Sequence, residues 1–252
     1  MITEPLFYAA AVPAVILMGL SKGGFSGLSL LALPLMALVV SPVQSAAILL
    51  PILIVQDVVS VWAYRRSWDR RNLVVLLPGG IAGIVTGYCL AASVSDEAVA
   101  LAVGAISVAF GIRRMVLERS PTPPAPTKAD MPRGLFWGWV TGFTSMIALA
   151  GGPPFQIYVM PQRLPPDVFV GTGAVFFALN NWIKVPPYIA LGQFTKENLA
   201  TAAALFPVAV LSTWAGVLLV RRFSGKRFYT IVYWLLVLVG SKLVVDGLRV
   251  LL

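Results

Sequence analysis

Long apolar segments separated by short polar ones make up the whole chain. A helix that crosses a membrane needs roughly 20 apolar residues, and residues 73–95 and 199–220 are uncharged runs of about that size. The pattern predicts ten helical segments. Their bounds are 6–20, 25–40, 43–64, 73–95, 97–112, 134–150, 155–162, 168–190, 199–220 and 228–252. We therefore predict an all-α membrane protein.

The composition also indicates a polytopic membrane protein, one with several crossings. Of the 252 residues, 58% are hydrophobic and 12% are charged, whereas soluble domains carry about 25% charged residues. A membrane β-barrel would show segments of about ten residues in which apolar and polar side chains alternate. The apolar runs of this chain are continuous, so we expect a bundle of helices in a lipid bilayer.

The net charge of +9 comes mainly from the polar segments between the predicted helices. Basic residues cluster at 65–71, 113–133 and 221–227, whereas 96–97 is acidic and 192–197 is neutral. Loops rich in Lys and Arg stay on the cytoplasmic side of a membrane. The three basic segments are therefore predicted to be cytoplasmic and the other two external. Because the positive charge has this role, we expect no nucleic-acid partner.

The alternation of these charged segments limits the crossings in each half of the chain. Residues 6–40 must leave and return to one side, and residues 134–165 must do the same. Each half is then a re-entrant or broken helical hairpin followed by three transmembrane helices, and the halves have opposite orientations. We predict a first membrane repeat at 1–117, a cytoplasmic Pro-rich linker at 118–132 and a second membrane repeat at 133–252.

Short sequence matches relate the two predicted repeats. The Gly-Gly pair at 23–24 corresponds to the Gly-Gly pair at 151–152, and Gln-Asp at 56–57 corresponds to Asn-Asn at 180–181. Inverted repeats with broken helices near the membrane midplane are typical of secondary transporters. The repeats would provide two related conformations, each open to one side.

The sequence argues against an enzyme. The chain has no histidine and a single cysteine, Cys89. Histidine is the usual metal ligand and the usual acid–base group near neutral pH, and a dithiol relay needs paired cysteines. We predict no metal site, no cofactor and no enzymatic activity.

The first candidate site is the glycine-rich turn at 19–27. Its candidate ligands are Ser21, Lys22, Gly23, Gly24 and Ser26. Hydroxyl donors, a positive charge and closely approaching backbone suit a desolvated oxyanion, and a helix that begins near Phe25 would add free N–H groups. The four-residue spacing of the glycines is also typical of close helix packing, but packing does not explain Lys22.

The second candidate site is the corresponding turn near residue 151. Its candidate ligands are Gly151, Gly152, Pro153 and Gln156. Proline is tolerated in the first turn of a helix, so a new helix is predicted to begin here. Gln156 would lie within that first turn and could donate to an anion. A simple bend between two helices is the alternative interpretation.

Polar residues inside the predicted full spans form the third candidate site. They are Gln56 and Asp57 in one span and Asn180, Asn181 and Lys184 in the equivalent span. Polar and ionisable groups at membrane depth commonly mark a transport pathway or a proton relay. We predict that Gln56, Asn180 and Asn181 bind substrate. Asp57 is the candidate proton-coupling residue, and an ion pair with the lysine of the first turn is the alternative.

These motifs resemble the TauE/SafE family of sulfite and organosulfonate exporters, which are also called toluene-sulfonate-uptake-like permeases. The resemblance rests on Gly-Leu-Ser-Lys-Gly-Gly-Phe-Ser-Gly at 19–27, on Gly-Gly-Pro at 151–153 and on Asn-Asn at 180–181. It covers essentially the whole chain, and the layout in two halves also fits. It implies a multi-pass carrier of the bacterial inner membrane for small sulfur-containing anions such as sulfite or sulfoacetate, often an exporter.

We therefore expect a secondary transporter that binds a small anion between the two glycine turns and works by alternating access, in the direction of export. The expected partners are the small anionic substrate and the lipid bilayer, and a homo-oligomer is compatible with the sequence. An anion channel and a permease for another small solute are the alternatives.

Overall fold

The computed structural model describes residues 1–25, 27–91, 93, 95–117, 127–220 and 226–251. The α-helices are α1 (Pro5–Gly23), α2 (Ala32–Met36), α3 (Pro42–Ala63), α4 (Arg70–Ala91), α5 (Asp96–Leu117), α6 (Met131–Ala148), α7 (Gly152–Val159), α8 (Pro166–Ala190), α9 (Lys196–Val220) and α10 (Lys226–Leu251). A 3₁₀ turn at Leu28–Leu31 precedes α2, and another at Met160–Gln162 follows α7. The described residues contain no β-strand.

Each predicted apolar segment overlaps one of these helices, although segment 25–40 contains only the 3₁₀ turn at Leu28–Leu31 and the short α2. Local chemistry explains where two of them begin. The Ser41 hydroxyl accepts the Gln44 N–H at 3.2 Å at the start of α3, and the Asp130 carboxylate accepts the Arg133 N–H at 2.9 Å at the start of α6. Both side chains are N-caps. Each accepts a hydrogen bond from a backbone N–H that has no partner inside the helix.

The helices are those of a multi-pass membrane protein. Within the described ranges, α1, α3, α4, α8 and most of α9 are long and apolar enough to cross a membrane. The prediction of an all-α polytopic membrane protein is thus confirmed. The first of these helices, α1, has 19 residues and extends beyond the predicted segment 6–20.

Each half begins with a long helix followed by a short one. In the first half α1 is followed by α2, which has 5 residues. In the second half α6 is followed by α7, which has 8 residues. At 1.5 Å of rise per residue, neither short helix can cross a bilayer. The long and the short helix of each half, here called its broken hairpin, lie where the sequence predicts a re-entrant or broken helical hairpin.

Small residues bring the long helices close together. A side chain at Gly19 or Gly23 of α1 would collide with Ser212 or Gly216 of α9. A side chain at Gly83 of α4 would collide with the backbone of α6. Close backbone approach through small residues is the usual way in which membrane helices pack. The packing interpretation of the four-residue glycine spacing is therefore correct for Gly19 and Gly23.

Contacts between helices cross from one half of the chain to the other. Helix α1 packs against α9, and its counterpart α6 packs against α4. Helix α3 packs against its counterpart α8, and α5 against its counterpart α10. Exchanging the halves converts the first two pairs into each other and leaves the other two unchanged, which is consistent with two repeats. The inverted orientation and the boundaries at 1–117, 118–132 and 133–252 stay predictions, and residues 118–126 of the linker lie outside the described residues.

The polar segments gather at two ends of the bundle. At one end, the Asp69 N–H donates to the Thr172 hydroxyl at 2.8 Å, and the amides of Asn72 and Gln162 pair at 2.9 Å. At the other end, the N–H of Ile2 donates to the Thr201 hydroxyl at 3.0 Å. The loop between α3 and α4 therefore lies beside the segment that leads into α8, as the charge pattern requires of two segments on one side.

Candidate functional site

A cavity of about 110 Å³ lies where the broken hairpins of both halves meet α3 and α8. One water needs at least roughly 10–15 Å³ of such space, so the cavity can hold several waters or a small anion. Its polar side chains are Ser21, Lys22, Ser29, Ser145, Gln156, Asn181 and Lys184. The turn glycines Gly24 and Gly152 also line it. Both halves of the chain thus contribute to one cavity.

The first turn lies further along the chain than predicted. Helix α1 continues through Ser21 and Lys22 to Gly23. It ends where Gly24 N–H donates to Ser21 and Phe25 N–H donates to Leu20, both at 3.1 Å. These two bonds form a Schellman motif, and Gly24 has the positive φ of 131° that such an ending requires.

The predicted helix start near Phe25 is therefore wrong, because a helical turn begins only at Leu28. The backbone beside Lys22 is instead the carbonyl end of α1. Carbonyl groups there carry partial negative charge, which favours a lysine in the last turn. Of the described residues of the first turn, Ser21, Lys22 and Gly24 line the cavity, and the 3₁₀ turn at Leu28–Leu31 follows.

Lys22 forms an ion pair with Asp57 of α3. The other oxygen of this carboxylate accepts a hydrogen bond from the Asn181 amide of α8 at 2.6 Å. The Lys22 side chain is 11% exposed and Asp57 is buried, and the ammonium group lies 5.3 Å from the centre of the Phe177 ring. Of the two interpretations of Asp57, the ion pair is thus present in the structure. The carboxylate itself does not line the cavity.

Lys184 is the second cation of the cavity and is completely buried. Its ammonium group donates to the Ser145 hydroxyl at 3.0 Å and to the Ser145 carbonyl at 3.3 Å. No carboxylate of the described residues forms an ion pair with it. Buried charges are costly unless they are paired, so this lysine is suited to an anionic ligand. Its position three residues after Asn181, on the same helix face, was the sequence signal that pointed to it.

The second turn contributes a helix N-terminus. Helix α7 begins at Gly152, and Gly152 lines the cavity. Pro153 and Pro154 follow it, and proline has no N–H, so the exposed backbone donors of this helix start are few. Gln156 is the fifth residue of α7, just beyond the predicted first turn. It lines the cavity, and its buried side-chain oxygen has no hydrogen-bond partner in the described structure.

Five predicted ligands lie away from the cavity lining. They are Gly23, Gln56, Gly151, Pro153 and Asn180. Gly23 packs against α9. The Gln56 amide donates to the Val15 carbonyl at 3.1 Å, and the Asn180 amide donates to the Phe176 carbonyl of its own helix at 2.8 Å.

Gly151 is buried against Phe177 and Ser145, and Pro153 is buried within α7. The sequence shows which helix carries a polar residue but not which face of that helix meets a neighbour. Ser26 lies outside the described residues.

Aromatic rings form one wall of the cavity. Phe155 of α7 packs against Phe169 and Phe177 of α8, with ring centres 6.0 Å and 5.3 Å apart, and all three rings line the cavity. The cavity thus combines a cationic side, formed by Lys22 and Lys184, with an apolar side.

Comparison with protein families identifies one match. The model of the sulfite exporter TauE/SafE family matches residues 11–243, nearly the whole chain. The chain belongs to the TauE/SafE family. This family consists of membrane permeases for sulfite and related sulfur compounds, and it is a family of transporters rather than enzymes. No curated protein and no solved structure matches the chain.

Membership of the TauE/SafE family gives the cavity its context. The match includes both broken hairpins and the helices α3 and α8, so every element that lines the cavity belongs to the shared family region. The cavity lined by both lysines, to which both halves contribute, therefore belongs to a member of a family of multi-pass transporters.

Proposed function

We propose that this protein is a secondary transporter that moves small sulfur-containing oxyanions across the bacterial inner membrane by alternating access, in the direction of export. The substrate class is sulfite, sulfoacetate or a related organosulfonate. The supporting observation is the charge of the cavity: Lys22 and Lys184 line it, and among the described residues the carboxylate of Asp57 forms an ion pair with Lys22 alone. One positive charge is left for the substrate to balance.

The cavity offers an oxyanion several donors at once. In this proposal Lys184 and Lys22 supply charge, Ser21 and Ser145 supply hydroxyl groups, and Gln156 supplies an amide. Hydrogen bonds to charged groups contribute more than neutral ones, about 1.5–3 kcal/mol each. An organic group attached to the sulfur would lie against the phenylalanine wall. Gly24 and Gly152 leave room for the anion at the two turns.

Asp57 links binding to protonation in this proposal. An anion that draws Lys22 away leaves the Asp57 carboxylate buried with only the Asn181 amide as partner. A buried carboxylate that has lost its cation is stabilised by taking up a proton. The proton cancels one charge of the anion, so an inside-negative membrane potential favours export by about 2.3 kcal/mol per 100 mV for each negative charge that remains.

Flux into proteoliposomes tests the proposed function. Labelled sulfite and sulfoacetate are offered to vesicles with wild-type protein and with Lys22→Ala, with and without a pH gradient. Lys242→Ala is the control, because Lys242 forms an exposed ion pair with Asp246 in α10, outside the cavity. We expect saturable flux that is stimulated by anion on the opposite side. It should be lost in Lys22→Ala and retained in Lys242→Ala.

Other outcomes identify the alternatives. Flux that neither saturates nor responds to anion on the opposite side would indicate an anion channel. Absence of wild-type flux for both anions would indicate a permease for another small solute. Unchanged flux in Lys22→Ala would contradict the role of the cavity. The inner membrane as the location and a homo-oligomer as the assembly form part of the same proposal.

A further inference from the structure

A second cavity of about 80 Å³ lies next to the first one. Residues of α3, α6 and α8 line both cavities. Ala91, Leu191 and Gln193 line the second cavity together with five side chains from these three helices: Val43, Ala46, Met146, Ile147 and Tyr188. These five belong to the beginning of α3 and to the ends of α6 and α8. The beginning of α3 and the end of α8 are predicted to face the external side. The second cavity therefore lies on the external side of the first.

The two cavities are about one helical turn apart. On α3, Leu49 lines the first cavity and Ala46 lines the second. On α8, Lys184 lines the first cavity and Tyr188 lines the second. Three or four residues of helix correspond to about 5 Å. The cavities are consequently aligned along one direction through the bundle.

The contact between Lys184 and Ser145 lies at the boundary between the cavities. Ser145 faces the first cavity, and the next residue, Met146, faces the second. The hydrogen bond of 3.0 Å from Lys184 to Ser145 holds α8 against α6 at this level. An anion that reached Lys184 from the first cavity would compete with Ser145 for the ammonium group and weaken this connection.

We propose that the second cavity is the external part of the path of the transported oxyanion, and that the Lys184–Ser145 contact is the barrier between the two parts. The described residues that line the second cavity include no lysine or arginine. A transport path needs positions that bind the ion weakly enough to release it, and an uncharged cavity beyond a cationic one is such a position.

Cysteine labelling from one side of the membrane tests this assignment. Cys89 is exposed and is first replaced by alanine. Ala46→Cys then places a thiol in the second cavity, and Val58→Cys is the control because Val58 of the same helix is 64% exposed on the outside of the bundle. The probe is a membrane-impermeant methanethiosulfonate that carries a sulfonate. The thiolate attacks its sulfenyl sulfur, a disulfide forms and methanesulfinate leaves.

We expect the probe to modify Ala46→Cys from the external side only and to abolish flux of sulfoacetate. Excess sulfoacetate should slow the modification, and Val58→Cys should keep its flux after the same treatment. Val43→Cys is the second probe position if Ala46→Cys is not inserted into the membrane.

Because this assignment rests on the proposed anion transport, wild-type flux is measured in the same vesicles. Normal wild-type flux together with an unreactive thiol at both positions, or with modification that leaves flux unchanged, would overturn the role of the second cavity alone. Absence of wild-type flux for either anion would overturn the proposed function and this assignment with it.

Discussion

Asn181 of α8 donates a hydrogen bond of 2.6 Å to the carboxylate of Asp57 in α3. These are the positions that the comparison of the two halves places in register. Equivalent positions of two repeats meet only close to the axis that relates them, so the contact is consistent with the predicted repeats and an axis near the cavity.

The charges around this contact are nevertheless asymmetric. The first half carries its cation, Lys22, on the broken hairpin, whereas the second half carries Lys184 on its second long helix.

The ion pair between Lys22 and Asp57 gives a prediction about stability. Asp57→Asn leaves the Lys22 ammonium group nearly buried without its carboxylate, and breaking a buried pair in this way costs about 3–5 kcal/mol. The double variant Lys22→Met/Asp57→Asn removes both charges. We expect thermal unfolding in detergent to show a large loss of stability for Asp57→Asn and recovery of most of it in the double variant.

Measuring transport separates the role of the ion pair in stability from the role of Lys22 in anion binding. The double variant should remain inactive although it is stable, since the cation that holds the anion is gone. A double variant that transports sulfoacetate at the wild-type rate would contradict the role of Lys22. A double variant no more stable than Asp57→Asn would contradict the pairing.

Lys184 gives a prediction about affinity. Lys184→Met keeps the length of the side chain and removes the one cavity cation that has no carboxylate partner among the described residues. Loss of a charged hydrogen bond of about 1.5–3 kcal/mol corresponds to a rise of roughly 10- to 150-fold in the KM of anion uptake, and the measurement is initial uptake against concentration.

Lys184→Met also removes a costly buried charge, so the variant should be at least as stable as wild type. The matched control is Lys242→Met, whose KM should stay at the wild-type value. An unchanged KM in Lys184→Met would place the anion elsewhere.

The helices and the charge of the site could be predicted from the sequence, because hydrophobic length and intramembrane lysines are local signals. Lys22, Gly24, Gln156 and Asn181 do line the cavity. The sequence could not show where α1 ends, because glycines lie on both sides of Lys22, at 19 and at 23–24, and either position permits a turn. The faces of Gln56 and Asn180 depend on how neighbouring helices pack, which no local pattern specifies.

Gly23 gives a prediction that separates packing from binding. A methyl group at this position would collide with the Gly216 backbone of α9, and overpacking of this kind costs about 1–3 kcal/mol. We expect Gly23→Ala to lower the melting temperature. The KM of the folded fraction should not change. Gly173→Ala is the control for the melting temperature alone, because its added methyl would lie 3.4 Å from Phe155, an ordinary contact, whereas Gly173 itself lines the cavity.

Gly23→Ala is therefore judged by two measurements, its melting temperature and its KM. A variant with wild-type stability and a raised KM would show that Gly23 contacts the anion, as the sequence alone predicts. A variant with reduced stability and an unchanged KM would show that its role is to let α1 approach α9.

Asp57 gives a prediction about energy coupling. Asp57→Asn cannot carry a proton, so an imposed pH gradient should no longer concentrate sulfoacetate in vesicles, while wild-type vesicles and the exposed-carboxylate control Asp246→Asn should do so. Exchange of labelled for unlabelled anion at equal pH needs no net proton movement, so Asp57→Asn should retain exchange if the protein is folded. Uphill accumulation that persists in Asp57→Asn would remove Asp57 from coupling and leave it as the partner that holds Lys22 in place, because only a titratable group can convert a pH gradient into an anion gradient.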